Sequence, residues 1–258
     1  MSRKRGGGEI IDVESAATKQ EKVFRSIKPD LAVVVGGKEF QEYSQHLCYS
    51  CEYFDNALRS GMKESWTKRF EFSDKDPKEW ELVRSMLVPM GVRPRAEDVS
   101  IVLPWFDKLC CYEGVKECDK TLEAHLRAVF QGKFNGSASY RNGVPRPTGN
   151  IRPLTEGLDL SLRFPGMGQS KQCCFELISC ILTTNRHLLK DMTDRATIAS
   201  LMTTNEEFRK TCWAVMNGNL PAAIAAQHPS ADESLLENGV WAGLILSAMV
   251  EAPNGYRY

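Results

Sequence analysis

Residues 30–43 read DLAVVVGGKEFQEY, and this stretch decides the fold of the N-terminal part of the chain. Two runs suited to β-strands, DLAVVV and KEFQEY, flank Gly36 and Gly37. Tight two-residue hairpin turns require positive φ angles, which glycine adopts without steric cost. Residues 30–43 are therefore predicted to form an antiparallel β-hairpin.

A helix and a third strand are predicted after the hairpin. Residues 60–61, Ser-Gly, would end the helix, and KRFEFS at 68–73 then alternates like a short, half-buried strand with Phe70 and Phe72 on one face. The helix itself is predicted because four apolar residues recur at spacings of three and four: Leu47, Cys51, Phe54 and Leu58.

The next segment, 76–89, carries start and stop signals for a helix. Asp76 is placed to be the N-cap, Pro77 occupies the first helical position, and Glu79 completes a capping box. Pro89 would stop the helix. The predicted buried stripe consists of Trp80, Val83 and Leu87.

Two further helices are predicted before residue 130. The first lies within 99–113, with its regular part starting at Pro104, which would sit in the first turn. The second lies within 115–130. Their predicted inward-facing residues are Val102, Phe106 and Leu109 in the first, and Cys118, Leu122, Leu126 and Val129 in the second.

A change of composition divides the chain after residue 130. Residues 131–157 are rich in Gly, Pro, Ser and Arg and are predicted to be a linker. Residues 158–164, LDLSLRF, alternate strictly and predict a strand. The rest is predicted to be helical. The first predicted helix has a buried stripe of Cys174, Leu177, Ile178 and Ile181. The second is capped by Thr204 with Glu207, ends at Asn217–Gly218, and carries Phe208, Cys212 and Val215. The last segment is capped by Ser230 with Glu233 and carries Leu236, Val240 and Leu244.

Overall charge and hydrophobicity exclude several classes of protein. Among the 258 residues, Lys plus Arg and Asp plus Glu both number 33, so no global positive field favours nucleic acid. The most apolar run, 240–250, is too short to span a membrane. The N-terminus lacks the apolar core of a secretory signal, although its RKR run is a candidate nuclear import patch. We therefore expect a cytoplasmic or nuclear protein without membrane or nucleic-acid partners.

The reactive residue types do not form a recognisable catalytic or metal-binding pattern. The nine cysteines are an odd number in a chain without a signal peptide, which indicates reduced thiols. One CxxC pair, Cys48 and Cys51, lacks a second pair to complete a zinc site, so the cysteines are interpreted as small buried hydrophobes. The four histidines are scattered, and no phosphate loop or nucleophile elbow is present. We expect no enzyme activity, no metal and no cofactor.

The order of elements over residues 26–130 resembles the BTB/POZ domain, an α+β protein-interaction module. The resemblance is carried by Asp30 and Leu31 at the first strand, Phe40 before the first helix, and three segments that match in order: GMKES at 61–65, DKDPKEW at 74–80 and VKECDKTL at 115–122. It implies a flexible arm at 1–25, a BTB/POZ domain at 26–130, the linker at 131–157 and a mostly α-helical region of unknown role at 158–258. The chain departs from the family pattern at Tyr43–Ser44. Members of the family usually have His-Lys or His-Arg at this place after the phenylalanine. Ser44 cannot supply that charge to a pocket with the strand aspartate, which argues against corepressor binding.

The resemblance also identifies Met62 and Glu64 as candidate partner-binding residues. BTB adaptors that bind a cullin carry a hydrophobic residue and a glutamate two positions apart after this helix, and Met62-Lys63-Glu64 occupies that place. A flexible thioether fills an apolar groove well, and a nearby carboxylate fixes orientation. The alternative is that Met62 packs against the helix end and Glu64 is merely solvated.

Two functions follow as expectations. The first is a substrate adaptor of a cullin-RING ubiquitin ligase that forms a homodimer, binds a cullin and recruits an unidentified protein substrate. The second is a homo-oligomerisation scaffold with no ligase role, in which EIIDV at 9–13 adds a strand to the dimer interface.

Overall fold

The computed structural model describes residues 28–87, 91–130, 140–141, 144–145, 152–184, 189, 191–217 and 233–251. The chain divides into two compact units, one ending at residue 89 and the other beginning at residue 90. The fold is mixed α+β and mostly helical, with a small three-stranded sheet in the first unit. This division falls well before residue 130, where the sequence analysis placed the end of the first domain. The predicted arm at 1–25, with its EIIDV segment, lies outside the described residues.

The first unit is built on the predicted hairpin and strand. Strands β1 (Leu31–Val35) and β2 (Lys38–Glu42) pair antiparallel, and β3 (Arg69–Phe72) pairs parallel to β1 on its other edge. Gly36 and Gly37 have φ angles of 52° and 83°, so the hairpin prediction is confirmed with its glycines in the conformation that favours them.

The predicted helix after the hairpin is interrupted. Its first part, α1 (Ser44–Ser50), ends at Cys51, whose φ of −138° and ψ of 118° are extended, and α2 (Glu52–Arg59) follows. Leu47, Cys51 and Phe54 are buried as predicted, whereas Leu58 is only half-buried. Burial of the extended Cys51 keeps both short helices against the core.

Two further helices complete the first unit: α3 (Lys63–Thr67) and α4 (Pro77–Leu87). The Asp76 cap is confirmed, because its Oδ1 accepts a 2.8 Å hydrogen bond from the Lys78 backbone N–H. The stripe of Trp80, Val83 and Leu87 is buried as predicted.

A buried carboxylate ties α4 to the sheet. Glu42 Oε1 accepts a hydrogen bond from the Trp80 indole at 3.2 Å and pairs with Arg84 Nε at 3.0 Å. Burial raises the pKa of Glu42, and the Arg84 charge opposes the rise. Trp80 also contacts the ring of Phe54, which packs edge-on against Phe70 with ring centroids 4.9 Å apart.

The second unit is largely helical. A 3-10 turn, Ala96–Asp98, leads into α5, and another, Glu233–Glu237, precedes α11. Tyr140–Arg141 (β4) and Val144–Pro145 (β5) form a minimal antiparallel pair. The helices are α5 (Val99–Lys108), α6 (Tyr112–Phe130), α7 (Arg152–Arg163), α8 (Gly168–Thr184), α9 (Met192–Thr204), α10 (Glu206–Met216) and α11 (Gly239–Glu251).

The strand predicted at 158–164 is wrong, because residues 158–163 belong to α7. The helix begins at Arg152, so the predicted linker also extends too far. Leu154 and Leu158 are buried one turn apart, and ion pairs Arg152–Glu156 and Arg163–Asp159 stabilise the turns at spacings of four. The alternation of leucines arose because both Leu158 and Leu160 fall within a wide buried face.

Two predictions of helix ends also require correction. Helix α5 begins at Val99, so Pro104 lies inside it rather than in its first turn. A proline there costs one backbone hydrogen bond, and burial of residues on both sides, including Leu103 and Trp105, offsets that cost. The cap of α10 is Asn205, whose Oδ1 accepts from the Phe208 N–H at 2.8 Å, whereas Thr204 ends α9.

In the last helix the predicted stripe is only partly correct. Leu236 is buried, but Val240 and Leu244 are exposed. The buried residues of α11 instead include Ala242, Ile245, Leu246 and Met249. The predicted caps at Ser230 and Gly218 lie outside the described residues.

The other sequence-predicted stripes agree with the structure for most of their residues. In α10, Phe208 and Cys212 are buried as predicted and Val215 is half-buried. Cys174, Leu177, Ile178 and Ile181 are buried, as are the inward residues predicted for α5 and α6 except Val129, which is half-buried.

Asp119 of α6 binds the start of α8, where its carboxylate accepts hydrogen bonds from the Gln169 and Ser170 N–H groups at 2.9 and 2.7 Å.

The cysteines are free thiols, and six of the nine are buried. Burial raises the pKa of Cys118 to about 12 and raises that of Cys174 further. These thiols stay protonated at physiological pH, which agrees with their interpretation as small hydrophobes.

The two turn glycines offer a matched test of the hairpin. A Cβ on Gly36 would lie 2.8 Å from the Lys75 carbonyl oxygen, whereas a Cβ on Gly37 would meet nothing within 4 Å. Both substitutions force alanine into positive φ, so Gly37→Ala is expected to cost about 1 kcal/mol. Gly36→Ala adds a backbone clash and is expected to cost roughly 2–3 kcal/mol.

Hydrogen exchange of the β1 and β2 amides measures the stability of this unit directly. Gly36→Ala should accelerate their exchange clearly more than Gly37→Ala. Equal acceleration by both variants would contradict the described turn.

Candidate interaction site

The segment that links α2 to β3 places Met62 on the surface. Helix α2 ends at Arg59 with Ser60 as its C-cap, and Gly61 follows with a φ of 71°, a backbone conformation that residues other than glycine rarely adopt. Met62 is extended, with φ −71° and ψ 176°, and forms the N-cap position of α3. The chain therefore turns at Gly61 and starts a new helix at once.

Hydrogen bonds hold the backbone of this turn. The Met62 N–H donates to Ser60 Oγ at 3.2 Å, and the Met62 carbonyl accepts from the Ser65 N–H and Oγ at 3.0 and 2.7 Å. The Trp66 indole donates to the Gly61 carbonyl at 3.0 Å. Local hydrogen bonds thus fix the backbone that carries Met62.

Met62 itself projects into solvent. The residue is 65% exposed, so most of its surface is open to solvent. Trp66 is 82% exposed and follows Met62 by four residues, which is about one helical turn. Large exposed apolar side chains on an ordered surface are typical of sites where another protein binds.

Glu64 lies in the first turn of α3 and is half-buried. Burial raises the pKa of the Tyr53 phenol, and the negative charge of the nearby Glu64 carboxylate raises it further. Tyr53 packs against Phe54 and Phe70. The structure therefore places Met62 and Glu64 on one short helix, with Glu64 closer to the aromatic core.

Two exposed aromatic residues of this unit were not predicted from the sequence. Trp66 fits neither the preceding helical stripe nor the following strand, and this misfit is the signal in the sequence that marks it as exposed. Tyr49 of α1 is 86% exposed and lies outside the stripe of Leu47 and Phe54.

An ionic contact positions the other end of α3. Lys68, with a positive φ of 49°, ends this helix, and its Nζ lies 3.4 Å from Asp30 Oδ2. Asp30 also accepts hydrogen bonds from the Ser44 N–H at 2.8 Å and Oγ at 2.7 Å. The positive charge beside the strand aspartate therefore comes from Lys68, a partner that the sequence analysis did not identify.

No group of three or more His, Cys, Asp or Glu side chains is arranged to hold a metal ion among the residues that the structure describes. In the same part of the chain, no helix is long and apolar enough to cross a membrane.

The Asp30 contacts predict a pH-dependent contribution to stability. Burial alone would raise the pKa of Asp30, but the hydrogen bonds from Ser44 and the contact with Lys68 outweigh it and lower the pKa. A lowered pKa stabilises the folded state above the unfolded value of about 3.9, and the contribution is lost as the pH falls through the folded value. Asp30→Asn should therefore reduce the free energy of unfolding at pH 7 by up to about 1 kcal/mol, since the site is partly exposed.

Urea unfolding of wild type and Asp30→Asn at pH 7 and pH 3 measures the contribution of the Asp30 carboxylate to the free energy of unfolding. The difference between them should shrink at pH 3, and the exposed Glu52→Gln provides the control. A difference of the same size at both pH values would show that the ionised carboxylate is not responsible.

No known protein family and no curated protein matched this chain in sequence comparisons.

Proposed function

We propose that the chain is a protein-interaction module of the BTB/POZ class that acts as a substrate adaptor of a cullin-RING ubiquitin ligase. The observation that carries the proposal is the exposed Met62 at the start of α3, held by an ordered turn between α2 and β3. The proposed docking residues are Met62 and Glu64.

The order of elements in the first unit supports the class. A glycine hairpin, a helical segment with buried Leu47 and Phe54, a third strand and a capped helix follow one another in the order that the resemblance implies. Helices α5 and α6 belong to the second unit. The proposal therefore assigns docking to residues of the first unit and substrate recruitment to the C-terminal helices.

The chemistry of the surface suits an apolar groove on a helical partner. The Met62 thioether is unbranched and polarisable, so it adapts to the shape of a groove. Glu64 supplies a carboxylate two residues away, which would orient the short helix by pairing with a basic or N–H donor. Trp66, on the same short helix, adds an exposed aromatic surface of the kind that dominates binding energy at interfaces.

The double variant Met62→Ala plus Glu64→Ala tests the docking residues. We expect at least a tenfold loss of affinity for the N-terminal domain of a cullin, which corresponds to about 1.4 kcal/mol. Biolayer interferometry with the immobilised cullin domain measures the loss. The fold should be retained, because Met62 is mostly exposed.

A matched control removes the same residue types elsewhere. Met192 and Glu113 are exposed residues of the second unit, so Met192→Ala plus Glu113→Ala should bind the cullin like wild type. Undiminished binding by the Met62 and Glu64 variant would remove these residues from the proposed function.

Self-association is the second candidate function, and Tyr49 is the observation that favours it. This side chain is 86% exposed on α1, and dimers of the class use the first helix. An exposed aromatic residue suits an isologous interface, in which the same surface appears on both subunits.

Light scattering of the full chain measures this directly. Wild type should show twice the chain mass of 29.0 kDa, and Tyr49→Ala should shift the population toward monomer. Tyr112→Ala, which alters another exposed tyrosine, should stay dimeric. A wild-type protein that remains monomeric as its concentration rises would defeat self-association.

A further inference from the structure

The indole of Trp66 is the largest apolar group that α3 exposes. Trp66 is 82% exposed, and its Nε1–H donates a 3.0 Å hydrogen bond to the Gly61 carbonyl. An indole has this one donor and no conventional acceptor. The hydrogen bond therefore satisfies the polar atom of the side chain within the chain, and the surface that the ring offers to a partner consists of carbon.

The peptide group that holds the indole also positions Met62. The Gly61 carbonyl and the Met62 N–H belong to the same planar peptide group. Its carbonyl accepts from the Trp66 indole at 3.0 Å, and its N–H donates to Ser60 Oγ at 3.2 Å. One peptide group with both polar atoms engaged therefore fixes Met62 and Trp66 relative to each other.

Met62 and Trp66 are spaced to form one apolar strip. Four residues of helix correspond to a rise of about 6 Å, and side chains four residues apart are neighbours on one side of a helix. Both residues are mostly open to solvent, at 65% and 82% exposure. The strip therefore extends about one helical turn from the N-cap of α3.

Burial within the first unit does not account for the order of this helix. None of the five residues of α3 is buried, and an isolated helix of this length is unstable in water. Local hydrogen bonds order it instead, among them the bond from Thr67 Oγ1 to the Lys63 carbonyl at 3.0 Å. Methionine and tryptophan are enriched at the cores of protein interfaces. An ordered helix that buries no residue and exposes both types is typical of a surface that another protein covers.

We infer that Met62 and Trp66 enter one continuous apolar groove of the partner, which makes Trp66 a principal anchor of the docking surface. The inference rests on the proposed function, because the partner is the cullin N-terminal domain proposed above. It extends the docking surface by one helical turn beyond Met62 and names the chemistry of the groove. Since the indole N–H is already engaged, the groove has to offer an apolar wall for a flat ring and no hydrogen-bond acceptor.

Biolayer interferometry of single variants on the immobilised cullin N-terminal domain tests the inference. Trp66→Ala should bind at least tenfold more weakly than wild type, because a covered tryptophan contributes strongly to affinity. Trp66→Phe keeps an aromatic ring without the N–H and should stay within about threefold of wild type. Tyr112→Ala, which removes an exposed ring of the second unit, should bind like wild type.

The outcomes separate this inference from the proposed function. Full binding by Trp66→Ala, together with loss of binding by the Met62 and Glu64 double variant, would overturn the inference and leave the proposed function standing. Equal losses in Trp66→Ala and Trp66→Phe would show that the indole only holds the turn, which also overturns the inference. Absence of binding by wild type would contradict the proposed function itself and the inference with it.

Fluorine NMR supplies a readout on the wild-type sequence, so the test stands even if Trp66→Ala folds poorly. In protein labelled with 5-fluorotryptophan, the resonance that is missing from Trp66→Phe belongs to Trp66. Addition of the cullin domain should shift this resonance and leave that of Trp105, which is buried in the second unit, in place. A Trp66 resonance that does not shift when the cullin domain is saturating would overturn the inference.

Discussion

The parallel pairing of β1 with β3 is the constraint on which the candidate interaction surface depends. Ala32 donates its N–H to the Lys68 carbonyl at 2.9 Å, and Val33 lies opposite Phe70 in the register. Lys68 is the C-cap of α3, so the first hydrogen bond of the parallel pair also fixes the end of the helix whose N-cap is Met62. The other end is fixed by Gly61 and the end of α2.

A single carboxylate connects three parts of this arrangement. Asp30 precedes β1, binds both donors of Ser44 at the start of α1, and lies beside Lys68 at the end of α3. Glu42 plays a comparable part for α4 through Trp80 and Arg84. Polar contacts therefore position the short helices around a sheet of only three strands, while the aromatic rings of Phe54, Phe70 and Trp80 fill the core.

Local sequence patterns predicted the structure correctly where a residue type favours a single backbone conformation or position in an element. Gly36 and Gly37 predicted the hairpin, and Asp76 with Pro77 predicted the start of α4. The sequence failed where a pattern of apolar residues fits two structures. The alternating leucines at 158–164 suit a strand when read alone, and only the register of Leu154 with Leu158 reveals the helix.

Partners distant in the chain were beyond local reasoning. Nothing near Asp30 predicts that Lys68 lies beside it. Met62 and Glu64 were identified from a resemblance, and the structure adds that Met62 is exposed on an ordered backbone. A binding measurement decides whether a partner protein contacts that surface.

Methyl NMR of the chain labelled at methionine answers that question most directly. Met62 and Met192 are both exposed, and they lie in different units. On addition of the cullin N-terminal domain, the Met62 methyl signal should shift or broaden in proportion to binding, while the Met192 signal should stay in place. Binding that leaves Met62 unperturbed, or no binding at all, would contradict the account.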